Sequence, residues 1–97
     1  MISSKQRAYL RSLANTIQPI FQVGKNGIEE TFLKQVQDAL KKRELIKLKV
    51  LNNSALTARE ASDIICEEIR CEGVQAIGSI VVLYKRAKEP KIELPNK

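Results

Sequence analysis

Residues 20–51 read IFQVGKNGIEETFLKQVQDALKKRELIKLKVL, and the hydrophobic pattern of this stretch decides the fold. Ile20 to Val23 predict a short strand, and the glycines and asparagine of Gly24–Gly27 predict a turn, because these residues tolerate positive φ. Residues 28–43 have apolar side chains at helical spacing and predict a long amphipathic helix. Residues 45–51 alternate apolar with basic side chains and predict a second strand. A strand, a helix and a strand in succession are typical of parallel pairing through a helical crossover.

A first helix is predicted upstream of this stretch. Ser3 and Gln6 have the spacing of a capping box, in which each side chain bonds the backbone N–H of the other residue. The apolar residues that follow share one helical face, and Arg7 and Arg11 line its flank one turn apart. Pro19 is expected to end this helix.

A further helix is predicted downstream, and it is acidic. Thr57 and Glu60 form a second capping box, and the pattern continues to about Glu72 before Gly73 ends it. Residues 57–72 contain two basic against five acidic residues, a net charge of −3. The remainder of the chain carries fifteen basic against six acidic residues, a net charge of +9.

Two strands and a tail complete the chain. Residues 74–77 and 80–84 are joined by Gly78-Ser79, and a two-residue loop with glycine first favours a type II′ hairpin. The tail is basic and contains two prolines, so residues from about 87 to 97 are expected to be extended. The order is α-β-α-β-α-β-β, which predicts a single α/β (α+β) domain over residues 1–97 with some parallel pairing.

The charge and the cysteines narrow the function classes. A net charge of +6 and a pI near 9.6 favour a polyanionic partner. Because one helix is acidic and the rest of the chain is basic, we expect one face of the molecule to repel phosphate and the others to attract it. Cys66 and Cys71, placed on one helix, would point about 140° apart and would not pair. Without histidine a zinc site lacks ligands, so we expect no metal and no cofactor. No signal-like or membrane-spanning apolar run is visible, so we expect a cytoplasmic protein with no membrane partner, and a monomer.

Catalysis is not expected from this composition. The absence of histidine removes the commonest general base near neutral pH, and the two thiols have no imidazole to activate them. The sequence contains no phosphate-binding loop of the G-x-x-x-x-G-K-[ST] kind. We therefore predict that the chain is not an enzyme.

The loop Gly24-Lys25-Asn26-Gly27 is the most specific candidate for a binding site in this sequence. Two glycines leave room for a sugar-phosphate backbone to approach the loop amides, as GxxG loops do in KH domains, and Lys25 supplies charge. In isolation the same loop is more simply explained as a tight connection that needs glycine. Glu29 and Glu30 occupy the first turn of the next helix and would repel phosphate. Contact is therefore expected from the loop amides and Lys25.

The chain resembles the CRM domain (chloroplast RNA splicing and ribosome maturation), in particular the stand-alone bacterial YhbY-type proteins. The likeness covers nearly the whole chain in order, and its specific part is the G-x-N-G loop followed by E-L-I-K-x-K-V. The segments that carry it are Lys5–Arg11, Leu13-Ala14, Pro19-Ile20, Val23–Gly27, Ala39-Leu40, Glu44–Val50, Val74–Gly78, Val82–Arg86 and Lys91–Pro95.

The resemblance implies a fold like the C-terminal domain of bacterial translation initiation factor three, with a mixed four-stranded sheet. It implies RNA binding through the GxxG loop, here Gly24, Lys25, Asn26 and Gly27, and through adjoining basic surface. It also implies association with precursors of the large ribosomal subunit in bacteria, whereas plant relatives act in organelle intron splicing.

The basic pattern of this sequence adds six further candidate RNA-binding residues. They are Arg7, Arg11, Lys47, Lys49, Lys85 and Arg86. The acidic helix of residues 57–72 is excluded from this surface. The sequence therefore predicts an RNA-binding protein whose partner is ribosomal RNA or a pre-ribosomal particle. Two alternatives remain open, namely a protein-interaction module that docks a basic ribosomal or assembly protein through the acidic helix, and an RNA-modifying enzyme with an unrecognised cofactor pocket.

Overall fold

A computed structural model describes residues 2–96. Three helices and four strands follow the predicted order, which confirms the fold class. They are α1 (Ser4–Ala14), β1 (Phe21–Val23), α2 (Glu30–Arg43), β2 (Leu45–Val50), α3 (Ala58–Ile69), β3 (Glu72–Ile77) and β4 (Ile80–Tyr84).

The four strands form one mixed sheet in the order β1-β2-β4-β3. β1 runs parallel to β2, with Val23 opposite Val50, because α2 carries the chain back to the starting end of the sheet. β4 is antiparallel to both of its neighbours, β2 and β3. The predicted parallel crossover and the mixed four-stranded sheet are thus both confirmed.

Helices cover both faces of the sheet, because alternate residues of each strand point to opposite sides. On one face α1 packs Leu10 and Ala14 against a smaller core that includes Val74 of β3 and Val82 of β4. On the other face α2 and α3 cover the larger core, which includes Ile46 and Leu48 of β2. The intervening β2 residues Lys47 and Lys49 therefore belong to the α1 side.

Both predicted capping boxes are present. Ser3 and Gln6 exchange side-chain and backbone hydrogen bonds at the start of α1, and Thr57 and Glu60 do so at the start of α3. The predicted hairpin is also confirmed, since Gly78 has a φ of +58° while Ser79 has no positive φ, the pattern of a type II′ turn.

α1 ends earlier than predicted. The last helical residue is Ala14 rather than a residue next to Pro19, so the prediction that the proline ends the helix is wrong. The N–H groups of residues 15–17 each bond a carbonyl three residues back, which tightens the chain into short turns before the proline is reached.

α3 also ends earlier than predicted. Its last residue is Ile69, and Arg70 takes a left-handed conformation (φ 62°, ψ 50°) while donating its N–H to the Cys66 carbonyl. This is the conformation that a terminal glycine usually adopts, so a non-glycine residue here hides the helix end from sequence reasoning. Gly73, the predicted terminator, lies within β3 instead.

The early end of α3 overturns the prediction that the two thiols diverge. Cys71 lies outside the helix, and its Sγ donates a hydrogen bond to the Cys66 Sγ at 3.6 Å. This hydrogen bond lowers the pKa of Cys66, because it stabilises the thiolate. The hydrogen bond to Cys66, together with burial, raises the pKa of Cys71. The prediction was wrong because it placed both residues on one helix.

Candidate nucleic-acid interface

The glycine loop is a tight turn that faces solvent. The Gly27 N–H donates to the Gly24 carbonyl at 3.0 Å and closes a four-residue turn. Lys25 and Asn26 occupy its two central positions, and both side chains are exposed. A ligand can therefore reach the turn from outside without displacing any other part of the fold.

The two glycines of the turn have different reasons to be there. Gly27 has a φ of +70°, a conformation that L side chains rarely adopt, so the backbone needs glycine at this position. Gly24 lies outside that region, and a Cβ added to it would meet Asn53 and Leu51 atoms at 3.7 Å, an ordinary contact. The fold therefore requires glycine at position 27 but would accept alanine at position 24.

The sheet holds the turn at one end of β2. The Leu51 N–H donates to the Val23 carbonyl at 2.8 Å, which ties the residue before the turn to the end of β2. Lys49 pairs with Gln22 across the parallel strands and is exposed, while Lys47 is half-buried two residues away on the same face. The structure therefore brings Lys49 to the same end of the sheet as the glycine turn, whereas Lys47 lies near the middle of β2.

A shallow depression of about 250 Å³ lies between the turn and the first part of α2. Among the described residues that line it, Lys25 and Glu29 are the charged ones, and their charges cancel. Glu29 occupies the N-cap position of α2, but its side chain makes no capping hydrogen bond. The depression therefore offers space beside the turn without net positive charge.

Lys85 and Arg86 lie at the opposite end of the sheet. Tyr84, the residue before them, pairs with Leu45 at the start of β2, whereas the glycine turn follows Val23, which pairs with Val50 at its end. Five strand steps separate Leu45 from Val50, a distance of about 17 Å. The predicted loop and the predicted Lys85-Arg86 contacts are therefore two separate places on the molecule.

The two arginines of α1 form a third location. Arg7 is half-buried, and its Nε donates to the Gly73 carbonyl of β3 at 3.3 Å, so part of this side chain holds α1 onto the sheet. Arg11, one turn later, is exposed. The ten candidate residues do not converge on one patch.

Sequence reasoning missed a buried carboxylate that organises the tail. Glu44, between α2 and β2, is fully buried. Its side chain accepts hydrogen bonds from the backbone N–H groups of Ala87, Lys91 and Ile92. No short sequence pattern predicts this role, because all three donors lie more than forty residues away along the chain.

Tyr84 packs beside this carboxylate and is itself buried. Burial, followed by the neighbouring charge of Glu44, raises the pKa of the Tyr84 phenol above its ordinary value. Tyr84 therefore belongs to the core at the tail end of the sheet and presents no ring face to a base.

Residues 2–96 contain neither a metal-binding cluster nor a helix that could span a membrane. No cluster of three or more cysteine, aspartate or glutamate side chains in this part of the chain is arranged to hold a metal ion. None of the helices described for it is long and apolar enough to cross a membrane.

The chain matches a known protein family and is similar to proteins from bacteria. A family model described as the CRS1 / YhbY (CRM) domain matches residues 2–85. The chain is 45% identical to the Bacillus subtilis (strain 168) protein named "Probable RNA-binding protein YqeI", over 98% of this chain and 100% of that protein. It is 38% identical to a Haemophilus influenzae protein named "RNA-binding protein", over 99% and 97% of the two chains.

A solved structure shows the same fold. The solution structure of the hypothetical protein SAV1595 from Staphylococcus aureus superposes with a TM-score of 0.82 and 49% sequence identity, covering 98% of this chain and 100% of that one. The resemblance inferred from the sequence is thus confirmed along nearly the whole chain.

Proposed function

Because the chain belongs to the CRS1 / YhbY (CRM) domain family, we propose that it binds structured RNA of the large ribosomal subunit or its precursors and assists their assembly in the cytoplasm, without catalysis. Two relatives matched almost end to end are named as RNA-binding proteins, which supports the RNA partner. The ribosomal target and the assembly role rest on the family likeness of the loop and the strand that follows α2.

The observation that carries the proposal is the exposed turn of Gly24–Gly27. Its central residues are open to solvent, and Gly24 has neither a positive φ nor a close neighbour that would demand glycine. Glycine at this position instead keeps the approach to the turn free of a side chain. A sugar-phosphate backbone can then reach the loop amides, with Lys25 beside it.

The direct test compares two side chains of equal size at position 24. Gly24→Asp adds a carboxylate to the turn, whereas Gly24→Asn adds the same bulk without charge. If phosphates lie against the turn, Gly24→Asp should weaken binding to purified large-subunit ribosomal RNA by tenfold or more relative to Gly24→Asn, measured by fluorescence anisotropy. Far-UV circular dichroism should show that both variants are folded. Equal, wild-type affinity of the two variants would remove the turn from the interface.

The proposal also predicts how binding responds to salt and where the protein is found. Log affinity should fall linearly with log salt concentration, with a slope of about −0.7 to −0.9 per phosphate contact. The tagged protein should sediment with large-subunit precursors on a sucrose gradient. A flat salt response, or a protein that remains at the top of the gradient, would contradict the proposal.

A second candidate function is favoured by α3. Ile64 is 37% exposed on this helix, and the neighbouring carboxylates of Asp63, Glu67 and Glu68 are also exposed. An apolar residue among acidic ones suits the docking of a basic protein. Asp63→Lys/Glu67→Lys separates the two functions, because it avoids Glu60, which caps the helix. Loss of ribosomal association with unchanged affinity for free RNA would favour protein docking, and unchanged association would exclude it.

A further inference from the structure

A strongly basic cavity lies at the end of the sheet opposite the glycine turn. It has a volume of about 590 Å³ and is formed where the C-terminal tail passes the end of α2. We name it the tail pocket. Five of its lining side chains are basic and one is acidic, namely Lys41, Lys85, Arg86, Lys88 and Lys91 against Glu89. Such a surplus of positive charge around one concave surface attracts phosphate.

The buried carboxylate of Glu44 gives the tail pocket its shape. The Glu44 carbonyl accepts the Lys85 N–H at 2.9 Å, and its side chain accepts the N–H groups of Ala87, Lys91 and Ile92. Four backbone groups over residues 85–92 are thus bound to one residue, so the tail bends around it. The backbone that carries the basic side chains of this segment is consequently held in place.

Glu44 has an unfavourable backbone conformation, and the hydrogen bonds from the tail to its carboxylate offset that cost in free energy. Its φ of 63° and ψ of −41° are unfavourable for any residue with a side chain, and glycine is the usual choice after a helix. A glutamate at this position is explained by the hydrogen bonds that its carboxylate receives from the tail. The contacts that fix the tail therefore offset the cost of the backbone conformation at Glu44.

Lys85 connects the tail pocket to the end of α3 by a hydrogen bond from its side chain. Its Nζ donates to the Ile69 carbonyl at 2.9 Å, at the C-terminal end of α3, where a cation also complements the helix dipole. Lys88 and Lys91 are exposed, and Lys91 contributes only its N–H to Glu44. The side chains of Lys88 and Lys91 can therefore be changed without removing a hydrogen bond to Glu44.

The glycine turn and the surplus of positive charge lie at opposite ends of the sheet. The depression at the glycine turn has one lysine and one glutamate, whereas the tail pocket has four more basic than acidic side chains. The two ends are separated by at least the length of β2, about 17 Å. One short stretch of RNA backbone cannot fill both places at once.

We propose that the tail pocket binds the phosphates of a second backbone segment of the RNA whose first segment lies against the glycine turn. This inference rests on the proposed function. The turn positions the RNA, and the tail pocket supplies much of the electrostatic attraction. A folded RNA presents two backbone segments at this separation, so it should bind more tightly than a short single strand.

The test removes two charges from the pocket and compares an equal change elsewhere. The pocket variant is Lys88→Gln/Lys91→Gln, and the control is Lys5→Gln/Lys34→Gln, two exposed lysines on α1 and α2. Both variants lower the net charge by two. Affinity for large-subunit ribosomal RNA and for a short poly(U) oligomer is measured over a range of salt concentrations.

For the ribosomal RNA, the pocket variant should lose about 1.5 from the magnitude of the log–log salt slope, since each phosphate contact contributes about 0.7 to 0.9. The control should keep the wild-type slope, and the poly(U) oligomer should respond equally to both variants. Equal slopes for the pocket and control variants on the ribosomal RNA would overturn the inference. If Gly24→Asp still weakens binding in that case, the proposed function stands without it. A wild-type protein that binds neither RNA would overturn both.

Discussion

Replacing Glu44 by alanine tests whether one buried carboxylate holds the tail. Hydrogen bonds to a charged acceptor contribute about 1.5–3 kcal/mol each. The Lys91 and Ile92 N–H groups both bond Oε1, whereas the Ala87 N–H lies 3.4 Å from Oε2 and contributes little. Because the released N–H groups can bond water when the tail detaches, we use the lower value for the two close bonds. Glu44→Ala should then lower the free energy of unfolding by about 3 kcal/mol.

A loss of this size is a large fraction of the stability of a small domain, about 5–15 kcal/mol in total. Glu44→Gly provides an internal check on the backbone. It loses the same hydrogen bonds but relieves the unfavourable backbone conformation, which costs about 1–3 kcal/mol for a residue with a side chain. Glu44→Gly should therefore be about 1 kcal/mol more stable than Glu44→Ala. Glu93→Ala, at an exposed glutamate of the same tail, should stay within about 0.5 kcal/mol of the wild type.

Two measurements test whether Glu44 holds the tail and whether its backbone conformation is strained. Urea unfolding followed by circular dichroism gives the stabilities, and amide hydrogen exchange reports on the tail itself. In the wild type the Lys91 and Ile92 amides should be protected, and in Glu44→Ala they should exchange as in a free peptide. The reasoning would be refuted if these amides already exchanged freely in the wild type. A Glu44→Gly variant less stable than Glu44→Ala would refute the argument from strain.

Three further predictions concern the turn, the thiols and a helix cap. Gly27→Ala should lower the melting temperature while Gly24→Ala leaves it nearly unchanged, since position 27 alone has a positive φ; the reverse order would contradict this. Iodoacetamide should modify Cys66 before Cys71, because the pKa of Cys66 is lowered and that of Cys71 is raised; equal rates by mass spectrometry would be evidence against it. The hydrogen bonds from Thr57 lower the pKa of Glu60, so their stabilising effect is present above about pH 4.5 and is lost as the pH falls through the lowered value. Glu60→Gln should therefore be less stable than the wild type at neutral pH and equal to it in acid, and a difference that persists in acid would disprove the linkage.

Much of the fold was predictable because its signals are local. The capping boxes at Ser3 and Thr57 each act within one helical turn, and the alternation along β2 reports directly which side chains face the core. The hairpin at Gly78-Ser79 follows from the same kind of short-range rule. The exposed glycine turn was likewise visible in the sequence, although its role in RNA binding remains a prediction.

The predictions that were wrong depended on where a helix ends. α3 stops because Arg70 adopts a left-handed conformation, and the residue type gives no sign of this. One consequence is the hydrogen bond from the Cys71 thiol to the Cys66 sulfur, which a helix continuing to Gly73 would prevent. Helix ends are decided by a balance of a few hydrogen bonds, and packing of the following strand can shift that balance by several residues.

The sequence by itself determined the elements, their order and the places where charge and glycine are concentrated, because periodicity and capping act over a few residues. Only the tertiary structure decided that the glycine turn and Lys85 lie at opposite ends of β2, and that Glu44 gathers the tail into a basic pocket. These relations join residues more than forty positions apart. They arise because a buried carboxylate needs hydrogen-bond donors and a sheet needs a strand order, and neither need is visible in a short stretch of residues.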